Sequence, residues 1–318
     1  MGQLTDSDIG QLRKICPEGV ECNVSLAEIS QWRIGGSADL LIKPANQQEL
    51  IALLQWFYNR SIKPVVIGLT SNLLFADEGV RAPIIQIGTK LSGIEISGTE
   101  VTAEAGVWVP GLARKLMQAG LTGGEHICGI PGTLGGLICM NGGSQRKGIA
   151  DNIVWVESLD KSGMLQRRSA EDCYFGYRKS IFQSNSEIII RTKLRYEKSD
   201  ANKIRKSMLQ ILAERRNKFP RKQPNCGSVF KSNPAMYSEV GPPGKVIEEL
   251  GFKGMKVGNA QVSLQHANFI VNLGNAKAAD VIYLVDCIYN RVYEKTGYKI
   301  QPEAIYINAL GRAEKIIL

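Results

Sequence analysis

GGEHICGIPGTLGGLICMNGG, residues Gly123 to Gly143, is the most glycine-rich run of the chain, and the architecture can be worked out from it in both directions. Its central GIPGTLGG (Gly129 to Gly136) carries too much glycine for a good core helix. It also lacks the G-x-G-x-x-G spacing with which a Rossmann dinucleotide site places its backbone against a pyrophosphate. Two readings stay open for it: a tight turn packed on a sheet, or a cradle where backbone N–H groups face an anion. The segments downstream of it favour a sheet nearby, because NIVWVESLD and SEIIIRTKLRYE are alternating or β-branched runs that read as strands.

Upstream, LSGIEISGTEVTAEAG reads as a hairpin turning at Ser97 to Thr99. Pro110 then opens the helix PGLARKLMQAG, and Gly120 stops it. Earlier still, Asn46 and Glu49 form a capping box for NQQELIALLQWFYNR, whose Leu50, Leu53, Leu54 and Phe57 share one face. The runs KPVVIG and RAPIIQIG beyond it read as strands, so an α/β unit opens the chain. Downstream, a basic helix is expected from Ala201 to Asn217, with Ile204, Met208, Ile211 and Leu212 on its buried face and Pro220 beyond its end. HANFIVNLG then reads as a strand. Asn275 is expected to cap a helix with the stripe Val281, Leu284, Val285, Ile288 and Val292, ending at Gly297, and PEAIYINAL closes as a strand. No internal repeat or low-complexity run interrupts this order.

The chain has 318 residues, about twice the ~150 expected of one domain, so two or three domains are predicted. Hydrophobic residues at 44% and charged residues at 22% argue against disorder. Seven cysteines without a C-x-x-C pair suit reduced thiols, hence a reducing compartment and a cytoplasmic location. Two distant histidines, His126 and His266, offer neither a Cys/His zinc site nor H-E-x-x-H, so no metal is expected. The N-terminal residues have no apolar signal segment, and the longest apolar run is broken by Pro131 and glycines, so no stable membrane association is expected. Residues 191–222 alone carry the whole net charge of +9. That field suits nucleotides and other small polyanions as well as nucleic acid, or it is simply a solvated helix face; without an RNA- or DNA-binding motif, no nucleic-acid partner is expected.

Three loops could hold a phosphate: GLTSN (Gly68 to Asn72), directly after a strand, then GIPGTLGG and MNGG. With WRIGGSAD (Trp32 to Asp39), AEAG, FGYRKSIF (Phe175 to Phe182), NCGSVFKSNP (Asn225 to Pro234), FKGMKVGNAQVS, QHANFIVN and QPEAIYI in the same order, the chain resembles the UDP-N-acetylenolpyruvoylglucosamine reductase family almost end to end. The short spacing from FGYRKSIF to NCGSVF resembles the subclass without an extra tyrosine-bearing loop.

The resemblance implies an α+β flavoprotein with a p-cresol methylhydroxylase-like FAD-binding fold in two N-terminal subdomains and a C-terminal α/β substrate-binding domain. The boundaries implied are residues 1–22 for an extension, 23–90 and 91–200 for the FAD-binding subdomains and 201–318 for the substrate domain. The implied activity is reduction of an enolpyruvyl UDP-sugar to a lactyl ether, with NADPH as cosubstrate, in peptidoglycan precursor synthesis. FAD contacts map onto Gly68, Thr70, Ser71, Asn72, Gly106, Gly129, Ile130, Pro131, Gly132, Gly135, Gly136, Asn141 and Gly142. Substrate contacts map onto Tyr177, Lys218, Asn233, Lys253 and His266.

Hydride addition leaves a carbanion beside a carboxylate, which must be stabilised and protonated. Ser228 matches the family's proton donor, and Arg178 and Glu303 match groups around the carboxylate: Arg offers a charged fork, and Glu in its acid form a hydrogen bond to the enolate. Thr70 stands where the family usually has glycine, and its hydroxyl is expected to donate to a phosphate oxygen of FAD. Because of Thr70, a flavin-free nucleotide-binding or regulatory protein on the same fold stays an alternative, as does another FAD oxidoreductase of the superfold. Cys226, two residues before Ser228, is expected to be a small buried hydrophobe.

Overall fold

The structure, a computed structural model, describes residues 4–316. By compactness the chain divides into two units that interleave along the sequence. One takes residues up to 21, 41–69 and 84–215; the other takes 22–40, 70–83 and everything described from 216 onward. Three of the cuts fall inside continuous elements, the strands Val20–Ser25 and Ser37–Ile42 and the helix Ala201–Lys218.

In the first unit, the end of the strand Ser37–Ile42 pairs in parallel with Ile84–Gln86 (Leu41 with Ile84), which pairs in parallel with Val65–Ile67. Parallel neighbours need a crossover, and the helix Gln47–Asn59 supplies it, burying Leu50, Leu53, Leu54, Trp56 and Phe57. Asn46 caps it, its side chain accepting from Glu49 N–H at 2.9 Å. A five-stranded antiparallel sheet comes next, in the order Leu165–Ser169, Ile153–Leu159, Ile188–Arg195, Glu100–Glu104, Ile94–Ser97. The predicted hairpin is present, with Ser97 opposite Glu100 and Gly98 at φ 63°.

Cations of the basic segment are partly spent on this sheet. Arg191 and Arg167 both pair with Glu157, which is 1% exposed, and Lys193 and Arg195 pair with Glu100 at 2.6 and 2.9 Å. These arginines hold the Glu157 carboxyl below its usual range against the opposing effect of burial. Most of the remaining cations lie on the helix Ala201–Lys218, whose Ile204, Met208 and Ile211 are buried while Lys203, Arg205, Lys206 and Arg216 are exposed. It runs one residue beyond the expected end.

The second unit is built on the helix Ala278–Thr296, whose predicted stripe of Val281, Leu284, Val285, Ile288 and Val292 is buried against Trp32, Phe230 and Ile270 in one core. Gly297 ends it in the left-handed region, at φ 72°. Its start corrects the expectation of an Asn275 cap. The helix begins at Ala278, and its first free donors go to a distant carboxylate: Ala278 and Ala279 N–H donate to the two oxygens of Asp77, at 2.8 and 3.1 Å. The strand Ile305–Ile307 pairs in parallel with Leu73–Phe75, which joins the segment after GLTSN to the C-terminal part of the chain.

Candidate active site

In the second unit three loops converge. Gly227 takes a φ of 81°, and no heavy atom lies within 4 Å of where a Cβ would stand, so NCGSVF turns there without a packed side chain before Ser228. Asn225 fixes the entry to the turn, accepting from Gly227 N–H at 3.0 Å and donating to Pro220 O and Gln223 O. Beyond Ser228 the chain is paired: Glu303 N–H donates to Val229 O at 2.7 Å and Lys231 N–H to Gln301 O at 2.8 Å. Ser228 and Glu303 therefore sit on adjacent extended segments bridged at Phe230 and Pro302. Both are half-buried. Asn72 joins them from the GLTSN loop, its amide donating to Glu303 O at 3.0 Å.

Thr70 is arranged otherwise than expected. Its φ is 55°, the left-handed region in which glycine is unstrained and a Cβ costs ~1 kcal/mol or more. It is 3% exposed, and its hydroxyl points into the protein, donating to Ile29 O at 3.1 Å and accepting from Gln31 N–H at 3.2 Å. The hydroxyl thus serves as an internal brace between the GLTSN loop and the segment of Ile29 and Gln31. A family glycine at this position answers to the backbone conformation, which Thr70 sustains through two hydrogen bonds.

Cys226 lies under the same loop with its Sγ towards Thr70 O and Leu73 O, and burial pushes its thiol far up. A thiolate is strongly disfavoured there, which fits the expected packing role.

A second cluster of this unit gathers three expected substrate residues. Phe219 and Phe269 flank the His266 ring at centroid distances of 5.4 and 5.1 Å, and Lys218 lies over Phe219. Burial holds His266 below its ordinary pKa, Lys218 and Lys253 add to this, and Glu248 opposes it. Lys253 is paired with Glu248 at 2.7 Å. Asn233 is used locally, accepting from Ala235 N–H at 3.3 Å at the start of a short turn.

In the first unit, Gly68 and the GIPGTLGG loop touch. A Cβ on Gly68 would stand 2.3 Å from Thr133 Oγ1, and one on Gly106 would stand 2.0 Å from Gly88 O, so only glycine allows this approach at either place. Gly132, at φ 138°, leads into Thr133, which caps the short helix Leu134–Cys139 by accepting from Gly136 N–H. Gly135 N–H donates to Ala105 O at 2.8 Å, and Gly129 lies against Arg215. Ile130 is half-buried, and Pro131 and Gly136 are exposed. Thr133 is the residue of this loop that sequence reasoning missed; Thr followed three residues later by glycine carries only half of a capping box.

Asn141 and Gly142 continue the same surface. Asn141 donates to Gly176 O at 2.9 Å and accepts from Ala150 N–H at 3.1 Å, so it holds the turn that presents Tyr177 and Arg178. Gly176 and Lys179 exchange main-chain hydrogen bonds across that turn, and Arg178 takes a left-handed φ of 53°. Ser180 and Gln183 brace it by donating to Cys139 O at 2.7 and 3.0 Å. A non-glycine residue held in this region is a strain that many contacts must sustain, and such strain gathers at functional sites.

At Gly68, Gly106 and Gly135 the missing side chain lets neighbouring segments of the protein pack closely against the backbone. Among the described residues no group of three His, Cys, Asp or Glu could hold a metal ion. No helix among them is long and apolar enough to cross a membrane.

Comparison with known proteins bears on both units. A family model described as FAD binding domain matches residues 38–169, and one for the C-terminal domain of UDP-N-acetylenolpyruvoylglucosamine reductase matches residues 219–307. The chain is 42% identical over 288 residues to UDP-N-acetylenolpyruvoylglucosamine reductase 1 of Corynebacterium glutamicum, covering 91% of this chain and 86% of the relative. It is 40% identical to the Heliobacterium modesticaldum reductase, covering 88% of each. Among solved structures it is similar to the reductase (MurB) of Thermus caldophilus, with a TM-score of 0.75, 31% identity, and coverage of 89% of this chain and 97% of that one.

Proposed function

The chain belongs to the UDP-N-acetylenolpyruvoylglucosamine reductase family, and from that we propose how its own residues perform the family's reaction. It is an NADPH-dependent flavoprotein with a p-cresol methylhydroxylase-like FAD-binding fold, and it reduces UDP-N-acetylglucosamine enolpyruvate to UDP-N-acetylmuramate for peptidoglycan synthesis. FAD, when bound and reduced by NADPH, supplies the hydride for the enolpyruvyl double bond.

Ser228 gives the proton that completes the new C–H bond. Glu303 in its acid form donates a hydrogen bond to the developing enolate, and Arg178 binds the substrate carboxylate as a charged fork. Gly68, Gly106, Gly129, Ile130, Pro131, Gly132, Gly135, Gly136 and Gly142 line the cofactor surface. Thr70, Ser71 and Asn72 contribute through their loop, and Asn141 by holding the turn of Arg178. Lys218, Lys253 and His266 contact the UDP-sugar, and Tyr177 and Asn233 are further substrate-binding residues. Residues 23–90 and 91–200 supply the two FAD-binding subdomains and 201–318 the substrate domain. The location is cytoplasmic.

The observation that carries the assignment is the bridge at Phe230 and Pro302, which brings Ser228 and Glu303, 75 positions apart, onto neighbouring segments with Asn72 beside them. The flavin-free alternative rested on Thr70 crowding the cofactor, and the inward turn of its side chain removes that ground. Anaerobic mixing of the purified protein with NADPH and then with the enolpyruvyl UDP-sugar tests the function. Flavin absorbance should bleach with the first and return with the second; a colourless protein, or bleached flavin that the UDP-sugar leaves unoxidised, would refute it.

A further inference from the structure

We propose that Asn268 is a positioning residue for this reaction: it clamps the segment that carries Ser228 and fixes which nitrogen of His266 bears the proton. The inference rests on the reading of Ser228 as proton donor.

Asn268 is 8% exposed, and both ends of its carboxamide are used on one residue. Its Oδ1 accepts from Phe230 N–H at 2.9 Å, and its Nδ2 donates to Phe230 O at 2.9 Å. Its own main-chain carbonyl accepts from Val229 N–H at 2.9 Å. The side chain thus copies the pairing of a strand residue on the edge of Val229–Phe230 opposite to the one that Gln301 and Glu303 occupy.

Ser228 needs such a clamp. On its N-terminal side stands Gly227, left-handed, without packing around its Cβ position and held through its N–H by Asn225, so the firm hold on the segment comes from Val229 onward, where Asn268, Gln301 and Glu303 pair with it. The same residue reaches the substrate cluster. Asn268 N–H donates to His266 Nδ1 at 3.2 Å, so the neutral ring must carry its proton on Nε2 and present that nitrogen as a donor. Burial and the two lysines near the ring favour this neutral form. One buried amide thereby sets two groups assigned to different parts of the substrate.

Asparagine is needed because Phe230 presents a donor and an acceptor together. Aspartate would set an acceptor against Phe230 O, and alanine would leave both groups unpaired. In the holoenzyme, Asn268→Asp and Asn268→Ala should leave flavin reduction by NADPH within about twofold of wild type and slow reoxidation by the enolpyruvyl UDP-sugar about tenfold or more. In a Ser228→Ala background Asn268→Asp should add clearly less slowing than in the wild type, because the part of its effect that passes through Ser228 is already lost and only the part through His266 remains.

Normal reoxidation in both Asn268 variants, or full additivity with Ser228→Ala, overturns the proposal while leaving Ser228 in its role. Normal reoxidation in Ser228→Ala alone refutes the underlying reading instead, and the clamp's catalytic meaning with it. Should neither Asn268 variant fold, nitrogen-15 NMR of the two histidines in the wild-type protein still decides: His266 protonated on Nε2 supports the proposal, and on Nδ1 overturns it.

Discussion

Asn72 donates its side-chain amide to the main-chain carbonyl of Glu303, 3.0 Å away and 231 positions later in the chain. Glu303 is held from its other side by the bond from its own N–H to Val229 O. The loop expected to carry cofactor contacts and the segment expected to carry a catalytic carboxyl are therefore one braced structure. Asn72→Asp cannot donate to that carbonyl, and a lost hydrogen bond of this kind is worth ~1 kcal/mol, about fivefold in rate. We expect kcat to fall by about that factor while the protein still binds FAD. Steady-state kinetics beside an FAD titration measures this, and an unchanged kcat would show the brace to be idle.

Ser228→Ala should leave reduction of the flavin by NADPH nearly intact and slow its reoxidation severely, since the proton donor is lost and the hydride donor kept. Stopped-flow traces of the two half-reactions separate these effects. Equal slowing of both would exclude Ser228 as the proton donor.

For Arg178→Ala and Glu303→Ala we expect kcat to drop about a hundredfold or more, with a smaller change in KM, because each acts on charge that develops in the transition state. Near-normal kcat in either variant would exclude that residue from enolate stabilisation. Arg178→Gly is a useful companion: it relieves the left-handed backbone yet loses the guanidinium, so it should be as slow as the alanine variant.

Thr70→Val removes the bonds to Ile29 O and Gln31 N–H, and should destabilise the protein by ~2 kcal/mol, with or without FAD. Thr70→Gly loses the same bonds but is relieved of ~1 kcal/mol of left-handed strain, so it should melt between valine and wild type. Denaturant titration of the apo forms orders the three. If valine matched threonine in stability and bound FAD more weakly, the hydroxyl would belong to the cofactor after all.

His126 is 3% exposed, and neither ring nitrogen has a hydrogen-bond partner among the described residues, although the backbone of Gly123 lies near enough to favour the charged form. Burial first, and Lys147 second, hold its pKa below the ordinary 6.5, against Asp151, Gly123 and Glu125. As pH falls through 6.5 the unfolded chain takes up a proton that the folded one refuses. Stability should therefore be lost on acidification until the folded-state pKa is reached, by up to ~1.4 kcal/mol per pH unit. His126→Phe should melt higher at pH 8 by relieving unpaired buried nitrogens, and its advantage should widen at pH 5.5. Thermal melts at both pH values test the sign; an advantage that narrows on acidification would contradict it.

Local patterns were legible in the sequence. The face of Gln47–Asn59, the Pro110 start of Val109–Gln118, the hairpin at Gly98 and the stripe of Ala278–Thr296 all arise from residues within a few positions of one another. The ordered motifs also named the family. What escaped was supplied from afar. Asp77 caps a helix two hundred residues on, Asn268 pairs with Phe230, and Thr70 turns towards Ile29; each is a polar side chain whose partner is a backbone group brought near only by the fold. Asn275 looked like a cap because the local pattern could not show a better one arriving from another segment.

The parallel pairing of Leu73–Phe75 with Ile305–Ile307 has a consequence for biosynthesis. Residues 70–83 are made early, but the strand beside them is translated more than two hundred residues later. During synthesis Thr70 can meet its earlier-made partners Ile29 and Gln31, but Leu73–Phe75 has no strand beside it and Asn72 no carbonyl of Glu303 to bond, whereas the last residue of the first unit is already made at 215. The loop for the cofactor and the strand beside Glu303 thus mature in a single late event, so a nascent chain halted before residue 305 lacks both.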